Sequence, residues 1–397
     1  MNCIVGMEGR FHLTDGKPSS PHLNYHRFWR RYLDVFDSVT VVARLYPVEE
    51  PSASPVEGPG VTFFPLPGYT GPLEFLRNLR RLQNRIHTVC ADESALIARC
   101  PGRIGSLLIR EYRRQGRPFG VEVVGDPFEV HAPGSVSHPL RRFFRWWFPR
   151  QLRKQCAMAS GVAYVTESVL QSRYPAAPEA FTTHYSSIEL PASSFRATPR
   201  EFTKEGRSFT LILVGSLAQL YKAPDVLIDA VACCVEDGMD IRLVIVGEGK
   251  HRRDLEARAE RHGLESRVAF RGHLPPGDSV RAELDKADLF VLPSKTEGLP
   301  RAMIEAMARG LPCIGSTAGG IPELLAAEDV VAPGEVGLLG EKIKDVLKDT
   351  DRMNRMSARN HQKAAEYRYD VLQERRIAFY RHVRETTEAY FGKKCSL

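Results

Sequence analysis

The sequence predicts an α/β chain of two doubly wound, Rossmann-like domains, and three observations carry that reading. Short apolar runs alternate with amphipathic stretches along nearly the whole chain. A proline- and serine-rich break, Pro191 to Arg200, interrupts the alternation, which restarts at Phe209-Thr210-Leu211-Ile212-Leu213-Val214-Gly215. At 397 residues the chain is also too long for one ordinary core. The expected domains are residues 1–195 and 205–368, with the break as their linker.

In the first domain, Asn2 to Gly6 reads as a strand, Met7 to Pro21 as a long polar loop, the stretch around His26 to Leu33 as a helix, and Val39 to Arg44 as the second strand. Doubly wound folds bind ligands beyond the carboxyl ends of their strands, so Gly9 and Arg10 become candidates to face a cleft; an ordinary loop with a solvated arginine fits them equally. Val61 to Pro67 is a third strand, and Pro72 to Thr88 a basic amphipathic helix. Ala95 to Cys100 is a fourth strand, followed by a helix through Arg113. Phe119 to Val124 and Gly161 to Val165 continue the alternation, which Phe181 to Leu190 completes.

In the second domain, Asp240 to Val246, Ser266 to Gly272 and Asp288 to Leu292 read as further strands, and a helix begins near Pro224. Beyond Leu292 comes Thr296-Glu297-Gly298-Leu299-Pro300-Arg301-Ala302-Met303-Ile304-Glu305. Pro300 suits the first helical position because it has no N–H to leave unpaired, and Gly310 and Pro312 stop the helix. The free N–H groups of the first turn make a ready site for a phosphate, with Glu297 just before the helix and Glu305 inside it. Two carboxylates at that interval are usually a solvated helix face; the strand before and the Gly319-Gly320-Ile321-Pro322-Glu323 turn beyond argue otherwise.

That pattern resembles the signature of the family-4 retaining glycosyltransferases, the glycosyl transferases group 1, in which two glutamates flank seven residues. The resemblance is strong from Leu211 to about Leu347 and architectural elsewhere. It implies the GT-B fold, with a nucleotide sugar held between the domains, mostly by the second, and with a last helix, about 370–397, crossing back onto the first domain. By the resemblance, Glu305 binds ribose hydroxyls, Lys222 and the Gly298-Leu299-Pro300-Arg301 turn bind the diphosphate, and Glu297 meets the donor sugar. Gly215 and Ser216 form the first glycine turn, where the family often has an arginine in place of Ser216, so that Arg301 or Arg10 would supply the missing charge. Gly272 ends the strand whose exit loop meets the base. The family often has a histidine where this chain reads Gly125-Asp126-Pro127, leaving Asp126 as a substitute whose bland reading is a helix cap. The implied substrates are a UDP- or GDP-sugar and a sugar-type acceptor, polysaccharide, lipid-linked or secondary-metabolite, in bacterial exopolysaccharide or secondary-metabolite assembly. The implied reaction needs no metal and no other cofactor. A nucleotide-sugar epimerase and a non-catalytic sugar-nucleotide-binding or membrane-surface protein are the rival readings.

Composition narrows the setting. Eight scattered cysteines without paired-ligand spacing, and no leading apolar segment, point to a reducing cytoplasm and away from a disulfide framework or a zinc site. No apolar run approaches the roughly 18 residues of a membrane span. Residues 1–200 hold 25 basic and 17 acidic side chains, so the first half carries the positive charge. Its densest stretch, 138–154, has six basic residues, five aromatics and no acid. It fits an anionic membrane surface at the cytoplasmic face, an acidic acceptor, or a core helix whose arginines reach outward. Asp349-Thr350-Asp351 spells a metal-binding motif of another glycosyltransferase architecture but follows a helix and reads as a turn. No nucleic-acid-binding motif accompanies the charge.

Overall fold

The structure is a computed structural model and describes residues 1–21, 23–49, 54–132, 138–203 and 208–395. The first half contributes strands β1 (Asn2–Thr14), β2 (Lys17–Ser20), β3 (Ser38–Glu49), β4 (Ser54–Pro55), β5 (Val61–Pro67), β6 (Ser94–Cys100), β7 (Gly120–Val123), β8 (Gly161–Tyr164) and β9 (Phe181–His184). Its helices are α1 (Gly71–Val89), α2 (Arg103–Arg114), α3 (Pro127–Val130), α4 (Arg141–Cys156) and α5 (Val169–Arg173). Parallel pairing runs β5-β3-β1-β6-β7-β8-β9, so the winding direction reverses between β1 and β6. Every residue of β6 is buried, as a central parallel strand covered on both faces requires. On one face α2 lies so close to β1 that a β-carbon on Gly6 would run into Leu108.

The second half contributes β10 (Phe209–Val214), β11 (Ile241–Val246), β12 (Val268–Gly272), β13 (Leu289–Leu292), β14 (Cys313–Ser316) and β15 (Val330–Val331). Its helices are α6 (Pro224–Glu236), α7 (Arg252–Arg261), α8 (Asp278–Lys286), α9 (Arg301–Ala308), α10 (Ile321–Leu324), α11 (Val336–Lys348), α12 (Thr350–Ala365) and α13 (Tyr369–Cys395). The sheet is parallel throughout in the order β12-β11-β10-β13-β14-β15, and it reverses between β10 and β13. Crevices outside the carboxyl ends of β1 and β6 and of β10 and β13 are where such sheets hold ligands. Helix α13 returns to the first sheet and packs on β6, β8 and β9, with Val383 and Phe379 against Gly120.

Two local readings are corrected. The stretch after Gly6 is not a polar loop: β1 continues to Thr14, its register with β3 shifting between Gly6 and Arg10, and then turns back into the antiparallel β2. Phe11 drives this, fully buried and edge-on to Phe63 at 5.1 Å. The region around residues 26–33 is wound as a π-turn, Tyr25–Trp29, followed by a 3₁₀ segment, Arg30–Asp34. The Asp349-Thr350-Asp351 stretch caps α12, with Asp349 accepting from the Arg352 N–H at 2.8 Å.

Candidate active site

Strand β13 ends at Leu292, and the chain turns through Ser294 to Pro300 before α9 begins. Pro300 stands one position earlier than expected: its backbone is extended (ψ 102°) and its carbonyl accepts from the N–H groups of Met303 and Ile304, so the helix starts at Arg301. Glu297 lies in this turn with its side chain 7% exposed, accepts from the Ser294 hydroxyl at 3.0 Å, and forms an ion pair with Lys222.

Lys222 comes from the loop after β10, in the short 3₁₀ turn Leu220–Lys222. Ala223 follows in the left-handed region (φ 54°) and opens α6. The aliphatic stem of Lys222 lies over Gly215, where a β-carbon would stand 3.2 Å from Lys222 Cγ. The two loops are stitched together by the Lys295 N–H donating to the Tyr221 carbonyl at 2.7 Å, with Lys295 and Asp225 paired at 3.2 Å. Sequence positions 75 apart thereby meet at the switch point of the second sheet.

The Gly-Gly turn that ends the motif packs directly on this loop. Gly319 has φ +54°, and a β-carbon there would run into the Glu297 carbonyl; the Gly320 N–H donates to the Gly298 carbonyl at 2.7 Å. Only glycine allows that approach and that backbone conformation together. Leu299 is buried against Gly320, and Arg301 is exposed at the head of α9. Glu305 is partly buried on α9; burial pushes its carboxyl above the usual range, against the charges of Arg301 and Arg281. Ser216 is engaged in its own loop, its hydroxyl accepting from the Ala218 N–H at 3.2 Å, so the positive charge near Gly215 is that of Lys222. Gly272 closes β12 at φ +69°, and its carbonyl accepts from the Gly247 N–H at 2.9 Å.

The first domain meets this turn through the ends of β7 and β8. A β-carbon on Gly298 would stand 3.5 Å from the Val124 carbonyl and 3.8 Å from Val165. Asp126, a candidate here, is a cap and not a free carboxylate: it accepts from the Phe128 N–H at 2.9 Å, pairs with Arg173, accepts from the Tyr174 hydroxyl and is 3% exposed. Gly9 and Arg10 lie within β1. Arg10 sits 5.7 Å from the Tyr46 ring, and no hydrogen bond or ion pair among the described residues joins it to the Lys222–Glu297 cluster.

Three participants escaped the sequence reading. Ser294 is fully buried and orients Glu297. Glu8 occupies the head of α2, accepting from the N–H groups of Arg103 (2.8 Å) and Ile104 (3.0 Å). Glu323, the last residue of the Gly-Gly-Ile-Pro-Glu turn, crosses to the first domain and accepts from the N–H groups of Glu167, Ser168 and Val169 and from the Ser168 hydroxyl. The turn's glycines and proline marked Glu323 as placed; nothing in the sequence named its partner.

Residues 194–363 match the family described as Glycosyl transferases group 1. Protein CapJ of Staphylococcus aureus is 26% identical over 83% of this chain and 80% of its own length. Among solved structures, sucrose-phosphate synthase from Thermosynechococcus elongatus superposes with a TM-score of 0.72 at 14% identity, covering 96% of this chain and 99% of that one. Anabaena HepE, solved in complex with UDP-glucose, superposes with a TM-score of 0.61 at 17% identity, covering 95% and 98%. At such identities the structures speak for the fold, which is GT-B; the sequence match speaks for the family. Over residues 194–363, in its second half, the chain is similar to the glycosyl transferases group 1 family.

Proposed function

We propose that the protein is a retaining, metal-independent glycosyltransferase that moves a sugar from a nucleoside-diphosphate sugar to a sugar-type acceptor of a polysaccharide, lipid-linked or secondary-metabolite kind. One observation carries this reading: Lys222, laid over Gly215, reaches Glu297 in the loop that leads into α9, at the switch point of the second sheet. A lysine and a helix N-terminus facing one crevice stabilise the charge that grows on a leaving diphosphate. Glu305, further along α9, accepts hydrogen bonds from the ribose hydroxyls, and the loop after Gly272 borders the base. Glu297, oriented by Ser294, takes the donor-sugar hydroxyls. In the transfer, the bond from the anomeric carbon to the diphosphate oxygen breaks and the acceptor oxygen bonds to the same face of that carbon. The acceptor's proton passes to the leaving phosphate.

The test is a thermal-shift panel of uridine, guanosine and adenosine diphosphates and their sugars on the full chain, followed by donor hydrolysis without acceptor. We expect one nucleoside diphosphate to stabilise the protein and its sugar to be hydrolysed slowly. Binding without hydrolysis or transfer would favour a non-catalytic sugar-nucleotide-binding protein, and interconversion of two nucleotide sugars would favour an epimerase.

A second reading, contact with an anionic membrane surface, is supported by α4. Phe143, Trp146 and Trp147 are 49%, 48% and 44% exposed on one face of the helix, with Arg142 and Arg150 exposed beside them. Phe144 and Phe148 instead turn inward against His131, at 5.8 and 5.3 Å. Among the described residues no helix is long and apolar enough to cross a membrane, so this contact lies at the surface.

A further inference from the structure

We propose that the first domain holds a recognition site for an anionic group, a carboxylate, sulfate or phosphate carried by a sugar substrate, built on Arg31 and Arg99 around Glu122. The proposal deepens the transferase reading and rests on it for the identity of the substrate as a sugar.

Arg99 sits near the carboxyl end of β6, directly across from Glu122 on β7. The two form an ion pair, 8% and 2% exposed. Glu122 is satisfied several times over, accepting from the Tyr185 hydroxyl at 2.7 Å and lying 3.4 and 3.5 Å from the hydroxyls of Tyr380 and Tyr32. Arg31 is different. It is 8% exposed and stacks over the Phe28 ring at 3.7 Å, and no hydrogen bond or ion pair to it is found among the described residues. A third guanidinium, Arg376 of α13, is 2% exposed behind them and donates to Gln373 and to the Ser186 carbonyl. Three buried guanidiniums thus surround one fully buried carboxylate. A guanidinium cannot shed its charge, and the two carboxylates that face this cluster, Glu122 and Glu189, leave the three guanidiniums one positive charge in excess, which an anion from outside would balance.

The place for that anion is a small pocket of about 10 Å³ lined by Arg31, Arg99, Tyr185 and Ser187. That is room for an oxygen of one compact group and not for a sugar ring, which places the ring outside. Val124 and Val165 line the same pocket, and these are the residues that stand against Gly298 in the catalytic turn. An acidic substituent lodged on Arg31 therefore holds its sugar beside Glu297. A planar guanidinium with free N–H groups suits a carboxylate or a phosphate and gives a neutral hydroxyl little preference.

The acidic sugar is either the donor's or the acceptor's, and two arms separate them. In the donor arm, UDP-glucuronate is compared with UDP-glucose for binding and hydrolysis by the full chain. In the acceptor arm, p-nitrophenyl glucuronide is compared with p-nitrophenyl glucoside for binding by saturation-transfer NMR, which needs no donor and no turnover. We expect the acidic probe to bind at least tenfold more tightly in one arm. Arg31→Gln should reduce that preference to twofold or less while leaving nucleoside diphosphate affinity unchanged, and Arg31→Lys should restore part of it. Equal binding of acidic and neutral probes in both arms overturns the proposal, and so does a preference that survives in Arg31→Gln. The wild-type comparison decides even if the Gln variant fails to fold. Absence of nucleoside diphosphate binding by the wild type would overturn the transferase reading instead, and the acceptor arm would still report on Arg31.

Discussion

The stem of Lys222 has no freedom to wander: Gly215 lies beneath it, the left-handed Ala223 follows it, and Glu297 holds its ammonium. An ammonium fixed in this way meets a diphosphate without first being ordered, which is the advantage of preorganised charge. Lys222→Ala should weaken a nucleoside diphosphate by about 1.5–3 kcal/mol, the range of a lost charge-assisted hydrogen bond, and leave the nucleoside almost untouched, as read by calorimetric titration. Equal loss for both ligands would reduce Lys222 to a prop of the loop. Because the substitution also strands the buried Glu297, Lys222→Ala with Glu297→Gln should recover thermal stability but not binding. Glu305 makes a separate prediction with a sign. Burial pushes its carboxyl up, so the ionised form that accepts ribose hydroxyls is lost at a higher pH than for a free glutamate. Nucleoside affinity should fall as pH drops from neutral through that raised value. The fold should respond oppositely: a carboxyl raised in the native state contributes stability below its unfolded pKa and loses it as pH rises through the folded one. Glu305→Gln should flatten both trends, and a nucleoside affinity with the wild type's pH dependence in that variant would remove Glu305 from the ribose.

Helix α5 has only five residues, yet its first N–H groups receive Glu323 from the other domain, and a carboxylate on a helix start is a favourable pairing. The short α10 therefore acts as a latch between the sheets, helped by Lys363 reaching Glu167 at 3.4 Å. Glu323→Ala should loosen the closed arrangement by about 1.5–3 kcal/mol. X-ray scattering should then show a larger radius of gyration and assays a reduced kcat, with nucleoside diphosphate affinity close to wild type. An unchanged radius and rate would mean that the domains are held elsewhere. This latch also shows what was legible in the sequence. The second-domain strands and the Glu297–Glu305 turn were readable because glycine and proline punctuate a local pattern, and local geometry fixes how its parts face one another. Asp126 takes the helix-cap role that its sequence also offered, while its ties to Arg173 and Tyr174 lay out of reach because those partners stand 47 and 48 positions away, where no local rule applies. The extension of β1 was missed because one buried aromatic, Phe11, outweighs a run of polar neighbours. Arg31, Arg99 and Glu122 are separated by whole elements: sheet register sets Arg99 opposite Glu122, and the packing of the 3₁₀ segment Arg30–Asp34 brings Arg31 to the same pocket.

Charge is divided between the two halves of the molecule, with 25 basic and 17 acidic residues in the first 200 of a chain whose net charge is +7. The half that would receive the acceptor is thus the half that an anionic surface attracts, and α4 gives that attraction a point of contact. Its arginines are not equivalent. Arg141 donates to the His131 carbonyl and Arg145 stacks on Phe128 at 3.9 Å, so both are turned toward the protein. Arg142 is exposed, and Arg150 is exposed with its guanidinium over Trp146 at 4.6 Å. Each outward arginine that nears an anionic bilayer contributes roughly 1 kcal/mol, an attraction that salt screens, while the aromatic rings settle at the headgroup level. The protein should therefore sediment with phosphatidylserine-containing vesicles at low salt and less so as salt rises. Arg142→Gln with Arg150→Gln should weaken that binding by about 2 kcal/mol, and Trp146→Ala with Trp147→Ala should weaken it even at low salt, both with nucleoside diphosphate affinity intact. Arg141→Gln with Arg145→Gln should affect the fold of α4 more than the vesicle binding. If the wild type stays in the supernatant at low salt, the aromatic face of α4 serves a soluble acceptor, and its salt dependence should then appear in the acceptor's KM.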